Sequence, residues 1–491
     1  MRLSWFLPPL AAALLGLAPA VLAEGLPDLG EAAQADLSPQ AEKQIGGSIF
    51  REIRLREPSY LDDPEISGYL NRLGMRLAAQ SGEARQNFEF FVLRDTTLNA
   101  FAMPGGFIGV HTGLITASQS ESELASVIAH EISHVTQRHL ARMMGKQSQA
   151  QLASMLAMAV AIMAARNNPD VATGALMAGQ AAGIQNQLNY SRDFEREADR
   201  LGINLLEKSG YDIRDMATFF ERLQNFGRLY ENNAPGYLRT HPLTTERIAD
   251  MGNRISQRPY RQVPDSLDFL LVRAKLQAQE GDAREAVTHF ASLVKERKFV
   301  SEPAAHYGYA VALARVKDWA GAERELAQAR RLMARGHAEA AAPMIETLAA
   351  EMRRQQNDLD GALRLLRAAS QRYPQERAVA YGLVETLLAA GRLDEAVQLS
   401  GADLQLYPAD GRMHGLQAKS YALLGKVARQ HRALAEVYVA NGQLLAAIEQ
   451  LQLARQARDG DFYDNAQIDA RLRELKRQQA EEMRQGRQPN P

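Results

Sequence analysis

Cysteine is absent from all 491 residues, which excludes any disulfide and any lipid attached at a cleavage-site cysteine. The fold therefore relies on its packed core alone. Charge of one sign is missing too: 57 Lys and Arg stand against 58 Asp and Glu, a net charge of −1. No basic surface is implied for the chain as a whole, and nucleic acid is not an expected partner. Long apolar runs are also lacking. Gln147 to Ala165 carries no charge, and a second apolar stretch follows "NNPD" to about Ile184, but both are near the lower length limit for a membrane span and contain Gln, Ser, Asn or Gly. We read them as a buried or interfacial helical hairpin whose methionines suit an adaptable surface; any membrane contact is expected to be peripheral.

What is present suggests two or three domains. The N-terminus, "MRLSWFLPPLAAALLGLAPAVLAEG", has one Arg, an apolar run and small residues before Glu24, so residues 1–23 are expected to be a cleaved secretory signal. Helical periodicity runs through "AEKQIGGSIFREIRL" and "EISGYLNRLGMRLAAQ". "FEFFVLRDTTLNAFAMPGGFIGVHTGLI" then reads as strands around a turn at Pro104-Gly105-Gly106. From about residue 263 the composition shifts to Ala, Leu, Arg and Gln, and a repeat appears. Aligning "GDAREA", "KDWAGA", "NDLDGA", "GRLDEA" and "GQLLAA" places Ala at 286, 322, 362, 396 and 447, at spacings of 36, 40, 34 and 51 residues, the last a repeat and a half. A period near 34 with a small residue where helices cross is the tetratricopeptide pattern, stacked helix pairs with a concave groove. The expected fold is mainly α: an α+β zincin-type metalloprotease domain with a small sheet at 24–262, an all-α repeat superhelix at 263–480, and a disordered tail at 481–491. Deleting the chain beyond about 263 is expected to leave the metal site intact.

"VIAHEISHVTQRHL", Val127 to Leu140, carries the chemistry. On a helix His130 and His134 share a face with Glu131 at its edge, the H-E-x-x-H spacing: two imidazoles for one zinc ion and a carboxylate to take a proton from a water held there. A catalytic zinc needs a third ligand. The metzincin pattern wants Gly three residues and His six residues after the second His, where this chain has Gln137 and Leu140. A second helix, "SRDFEREADRLGINLLEKSG", offers Glu195 and Asp199 four residues apart on one face, so that Glu195 could bind zinc and Asp199 reach the outer nitrogen of a ligating His. Glu197 points to another side. The E-x-x-x-D pattern is weak by itself and has value only beside the first motif.

"NAFAMPGGFIGVHTGLI", "ASVIAHEISHVTQRH", "YSRDFEREADRLG" and "RTHPLTTERIADM" occur in the order and character of the gluzincin metallopeptidases related to HtpX and to the CAAX prenyl protease. The chain resembles this family over nearly its whole length. With a signal in front and repeats behind, it is similar to periplasmic members from Gram-negative bacteria. The resemblance implies one Zn2+ per chain bound by His130, His134 and Glu195, Glu131 as general base, and Asp199 as a proton donor or His-orienting group. It also implies a periplasmic endopeptidase in outer-membrane quality control, degrading misassembled barrel proteins or promoting their assembly, with the repeats docking on the barrel assembly machinery. The alternative from another class is a repeat-based chaperone or adaptor with latent protease activity. The strand at Gly106, Phe107 and Ile108 is expected to edge the cleft and pair with an extended substrate, and His111 within it to be structural. Pro242 fits the first turn of a helix, which puts His241 on the loop before it, where it could swing onto the zinc as a fourth ligand or switch.

Overall fold

The computed structural model of the chain describes residues 37–83, 86–144, 192–229, 236–335 and 343–484. The expected signal at 1–23, the apolar stretches within 147–184 and the last residues of the tail lie outside them. Helices α1 (Pro39–Arg56) and α2 (Pro64–Ala78) open the described chain. Each starts with a capping side chain followed by proline: Ser38 accepts from the Ala41 N–H, and Asp63 from those of Glu65 and Ile66.

Strands β1 (Glu89–Leu93), β2 (Ala100–Met103) and β3 (Phe107–His111) form one sheet in the order β1-β3-β2, with β1 parallel and β2 antiparallel to β3. The turn between β2 and β3 needs its glycines. Gly105 and Gly106 have φ of 79° and 96°, and a Cβ on Gly106 would lie 2.1 Å from the Asn87 carbonyl oxygen. This order corrects the expectation for Gly106, Phe107 and Ile108. Phe107 and Ile108 begin the central strand, with Gly106 in the turn before it, and that strand's backbone is paired on both sides, so no substrate can add to it. Phe107 instead stacks on Phe50 at 5.3 Å, and Ile108 is fully buried. Among the described residues the edge strands are β1, which Tyr60 bridges at Leu93, and β2, whose Ala102 lies next to Glu131.

After α3 (Thr112–Ala117) comes α4 (Glu121–Thr136), capped by the Ser120 side chain and buried from Glu121 to Val135. Arg138, with φ of 52°, ends it and leads into α5 (His139–Met144). Helix α6 (Arg192–Lys208) lies against α4. Gly202 allows the approach, since a Cβ there would stand 3.3 Å from the His130 backbone nitrogen. Helices α7 (Arg214–Leu229), α8 (Gly236–Thr240) and α9 (Thr245–Ser256) complete this part.

From α10 (Leu267–Gln279) onward the described chain is helical, each helix packed on its sequence neighbour, to the last at Phe462–Arg484. Residues 481–484, expected in the tail, form the final turn of that helix. The five aligned alanines, Ala286, Ala322, Ala362, Ala396 and Ala447, are all buried, as the close crossing of paired helices requires. The core does not stop at the expected boundary: Phe269, Leu271 and Val272 of α10 join Tyr69, Leu124 and Ile128 in one apolar cluster that continues to Met352. No helix of the described residues is long and apolar enough to cross a membrane.

Candidate metal centre

Helix α4 supplies His130, Glu131 and His134. Helix α6 supplies Glu195 and Asp199 on its buried stripe, in line with Gly202 and Leu206. The short link between α8 and α9 supplies His241. One ligand atom from each of His130, His134, Glu195 and His241 lies within 4.8 Å of the others, and all four residues are buried. The Nε2 atoms of His130 and His134 are 2.9 Å apart. Glu195 places Oε2 3.4 Å from the first and Oε1 3.5 Å from the second.

The set fits a divalent metal. Donors on one tetrahedral zinc stand about 3.3 Å apart, close to the carboxylate–imidazole separations here and wider than the His–His one. Electrostatics point the same way. Burial disfavours a protonated His130, yet hydrogen bonds to Asp199 and Glu195 raise its pKa to about 9. Burial pushes the Glu195 carboxyl up, but His241 and His130 hold it well below the usual range. The buried carboxylates favour positive charge among these imidazoles, which a bound cation would supply.

Glu131 is fully buried beside this group, with His241 Nε2 3.4 Å from its Oε1. Burial raises its pKa against the pull of His241, His130 and the Ala102 N–H at the unpaired side of β2. Among the described residues neither of its oxygens has a well-formed hydrogen bond. That suits a carboxylate whose partner is a reacting molecule. Asp199 sits behind the cluster, with Oδ1 3.0 Å from His130 Nδ1. Burial would raise its pKa too, but Arg247 and His130 bring it below its ordinary value.

Three residues outside the expected set belong to the site. Arg247, almost wholly buried, grips both oxygens of Asp199 at 2.8 Å, reaches Glu195 Oε2 at 2.8 Å, and donates to the Pro242 carbonyl at 2.7 Å. Its signal was available: Arg247 occupies the same stripe as the buried Met251 and Ile255, and an arginine at an apolar position of an amphipathic helix needs a buried partner. His139 places Nδ1 2.8 Å from His134 Nδ1 and Nε2 3.1 Å from Glu197 Oε2. Burial lowers its pKa to about 4 despite Glu197. Glu197 is outside the ligand cluster, as its helix face suggested, but that face meets His139. Tyr237 stacks on His241 at 4.7 Å, and its buried hydroxyl has no hydrogen-bond partner among the described residues.

His241 stands on the link leading into α9, as expected, but Pro242 does not open that helix. Helix α9 begins at Thr245, capped by Thr244 accepting from the Arg247 N–H, so Pro242 precedes it instead of opening it. The His241 N–H donates to the Tyr237 carbonyl at 2.8 Å, which fixes its backbone to the end of α8, and its Nδ1 is 3.0 Å from Glu195 Oε1. His111 stands apart, bound to Thr97 at 2.9 Å and 3.5 Å from Asp95.

A buried H-E-x-x-H helix crossed by a carboxylate-bearing helix, with an all-helical array behind, defines a metallopeptidase joined to a repeat domain. Residues 64–255 match Peptidase family M48, and residues 353–420 match a tetratricopeptide repeat. The chain is 32% identical over 460 residues to the beta-barrel assembly-enhancing protease of Escherichia coli, covering 93% of this chain and 92% of that one. It is 40% identical over 305 residues to a Vibrio cholerae protein that bears the same name provisionally, covering 62% and 63% of the two chains. The mitochondrial metalloendopeptidase OMA1 of Arabidopsis thaliana is 31% identical over 187 residues, covering 38% and 36%. The chain belongs to the M48 metallopeptidases and, among them, to the family of the beta-barrel assembly-enhancing proteases. It is a metal-dependent endopeptidase whose repeats are suited to protein interactions.

Proposed function

We propose that the chain is a periplasmic zinc endopeptidase that acts on extended segments of misassembled outer-membrane barrel proteins and promotes their assembly. The carrying observation is the buried cluster of His130, His134 and Glu195 with Glu131 beside it. The first three hold the zinc, which when bound polarises the scissile carbonyl and the attacking water. Glu131 takes the proton of that water and returns it to the leaving amine. Asp199, itself held by Arg247, fixes the ring of His130. The unpaired side of β2, with Ala102 next to Glu131, is where an extended peptide would add as a further strand. Pairing of that kind reads backbone more than side chain and suits unfolded strands. The barrel proteins and a part in their assembly are supported by the name of relatives matched over nearly the full chain, and the periplasm by the signal-like N-terminus; in this reading the repeats dock on the assembly machinery.

A second reading, a repeat-based chaperone or adaptor with latent proteolysis, is favoured by one observation: His241 already lies among the ligands. Glu131→Gln decides whether the site is an enzyme. Zinc per chain should be unchanged and cleavage of an unfolded barrel protein should fall by about 10²- to 10⁴-fold; equal cleavage by both proteins would overturn the proposal.

A further inference from the structure

The two histidines of the H-E-x-x-H helix are backed differently. His130 has a carboxylate directly on its outer nitrogen, Asp199 at 3.0 Å. His134 meets instead a second imidazole, His139, with Nδ1 facing Nδ1 at 2.8 Å. Two imidazole nitrogens at this distance share one proton, so one must donate and the other accept. His134 turns its Nε2 into the ligand cluster. As a neutral ligand through that atom it carries its proton on Nδ1 and donates it. His139 Nδ1 is then the acceptor, its own proton sits on Nε2, and that proton points at Glu197 Oε2 3.1 Å away. The chain of donors ends on a carboxylate that Arg142 also contacts at 2.9 Å.

The relay is built with care for its orientation. Phe194 stacks on the His139 ring at 4.6 Å with 12° between planes, and the Arg142 guanidinium lies over Phe194 at 4.6 Å. His139 has no exposed surface. Its place depends on the left-handed Arg138. On an unbroken helix a residue five positions on would stand about 140° from His134, whereas the turn at Arg138 brings it back against that ring. Arg138 is itself anchored to Glu42 at 2.7 Å through Nε and to the Leu37 carbonyl.

We propose that His139 and Glu197 are positioning residues that fix the tautomer and ring orientation of His134 through a His134–His139–Glu197 relay, and so set how tightly the site holds its metal. This rests on the reading of His134 as a ligand. The role is one that a carboxylate alone usually performs for a ligating histidine; here a second imidazole is interposed.

The test measures affinity for Zn2+ and for Co2+ by competition with a chelator, using the full chain, together with the visible spectrum of the Co2+ form. His134→Ala should bind neither metal. His139→Leu, which fills the space without an acceptor, should bind about 10- to 100-fold more weakly and shift the Co2+ bands. His139→Asn, which keeps an acceptor atom near the position of Nδ1, should recover most of the affinity. Glu197→Ala should weaken binding by at least about threefold. Wild-type affinity in His139→Leu, with His134→Ala inactive in binding, would overturn the relay while leaving the ligand reading intact. So would His139→Asn binding as poorly as His139→Leu, since only volume would then matter. Wild-type affinity in His134→Ala would overturn the ligand reading, and the relay with it. If His139→Leu does not fold, the comparison of His139→Asn with Glu197→Ala still decides: Glu197→Ala at full affinity refutes the relay.

Discussion

Single side chains at this site have several partners each, and their effects differ by what remains after removal. His241 is the sharpest case. It touches Glu195 and Glu131 and stacks on Tyr237, so it stands against both the ligand cluster and the proposed general base. If it acts as a latch, His241→Ala at equal zinc content should cleave an unfolded substrate as fast as wild type or up to about tenfold faster. A variant with full zinc and lost cleavage would show that His241 binds substrate or stabilises the transition state. Beside the H-E-x-x-H motif, the spacing of Glu195 and Asp199 was enough to put both on one helix face, because i and i+4 share a face. The same rule could not place His139, and for Arg247 it gave a buried face but not the partners. The first is redirected by one backbone conformation at Arg138, and the second meets its carboxylates across two helices.

At the level of elements, the sheet changes the assignment of the substrate edge. The residues of β2 and β3 are equally apolar and flank the same turn, so pattern cannot say which strand has an unpaired side. Pairing with β1, which arrives from earlier in the chain, places β3 in the middle. Two substitutions separate the strands. Ala102→Pro removes an N–H on an edge strand and should lower kcat/KM by about tenfold or more with little change in Tm. Ile108→Ala, in the central strand, should lower stability by about 2–5 kcal/mol and leave kcat/KM of the folded enzyme near wild type. The reverse result, a stable Ile108→Ala with poor cleavage, would return the edge to β3.

Across the whole molecule, the repeats are joined to the protease part by more than a linker. Lys275 on α10 lies 2.6 Å from both Asp63 and Glu65 at the start of α2, and Arg72 on α2 reaches Asp268 at 2.8 Å. Farther along, the turn at Gly442 abuts the Arg51 side chain of α1. Cutting the chain near 263 would therefore strip Phe269, Leu271 and Val272 from the shared core, and the metal site is not expected to survive that deletion undisturbed. Lys275→Met leaves two poorly exposed carboxylates without their cation. It should cost about 2–4 kcal/mol in chemical unfolding, with zinc per chain unchanged in the folded protein. Unaltered stability would mean that the apolar contacts alone hold the two parts together.

The H-E-x-x-H helix, the carboxylate stripe of the second helix, the succession of sheet and helices, and the repeat with its buried alanines could all be read from the amino-acid order. Each follows from a local period: 3.6 residues for a helix face, 2 for a strand, about 34 for a helix pair. Sequence distance hid what the folded chain joins. His241 and Arg247 close on Glu195 and Asp199 from some fifty positions away, β1 takes the second side of β3, and α10 completes the core beneath α2 and α4. A local period determines which face of an element is apolar or ionisable. Which other face it meets is settled by burying all such faces at once, and that is a property of the whole packed chain.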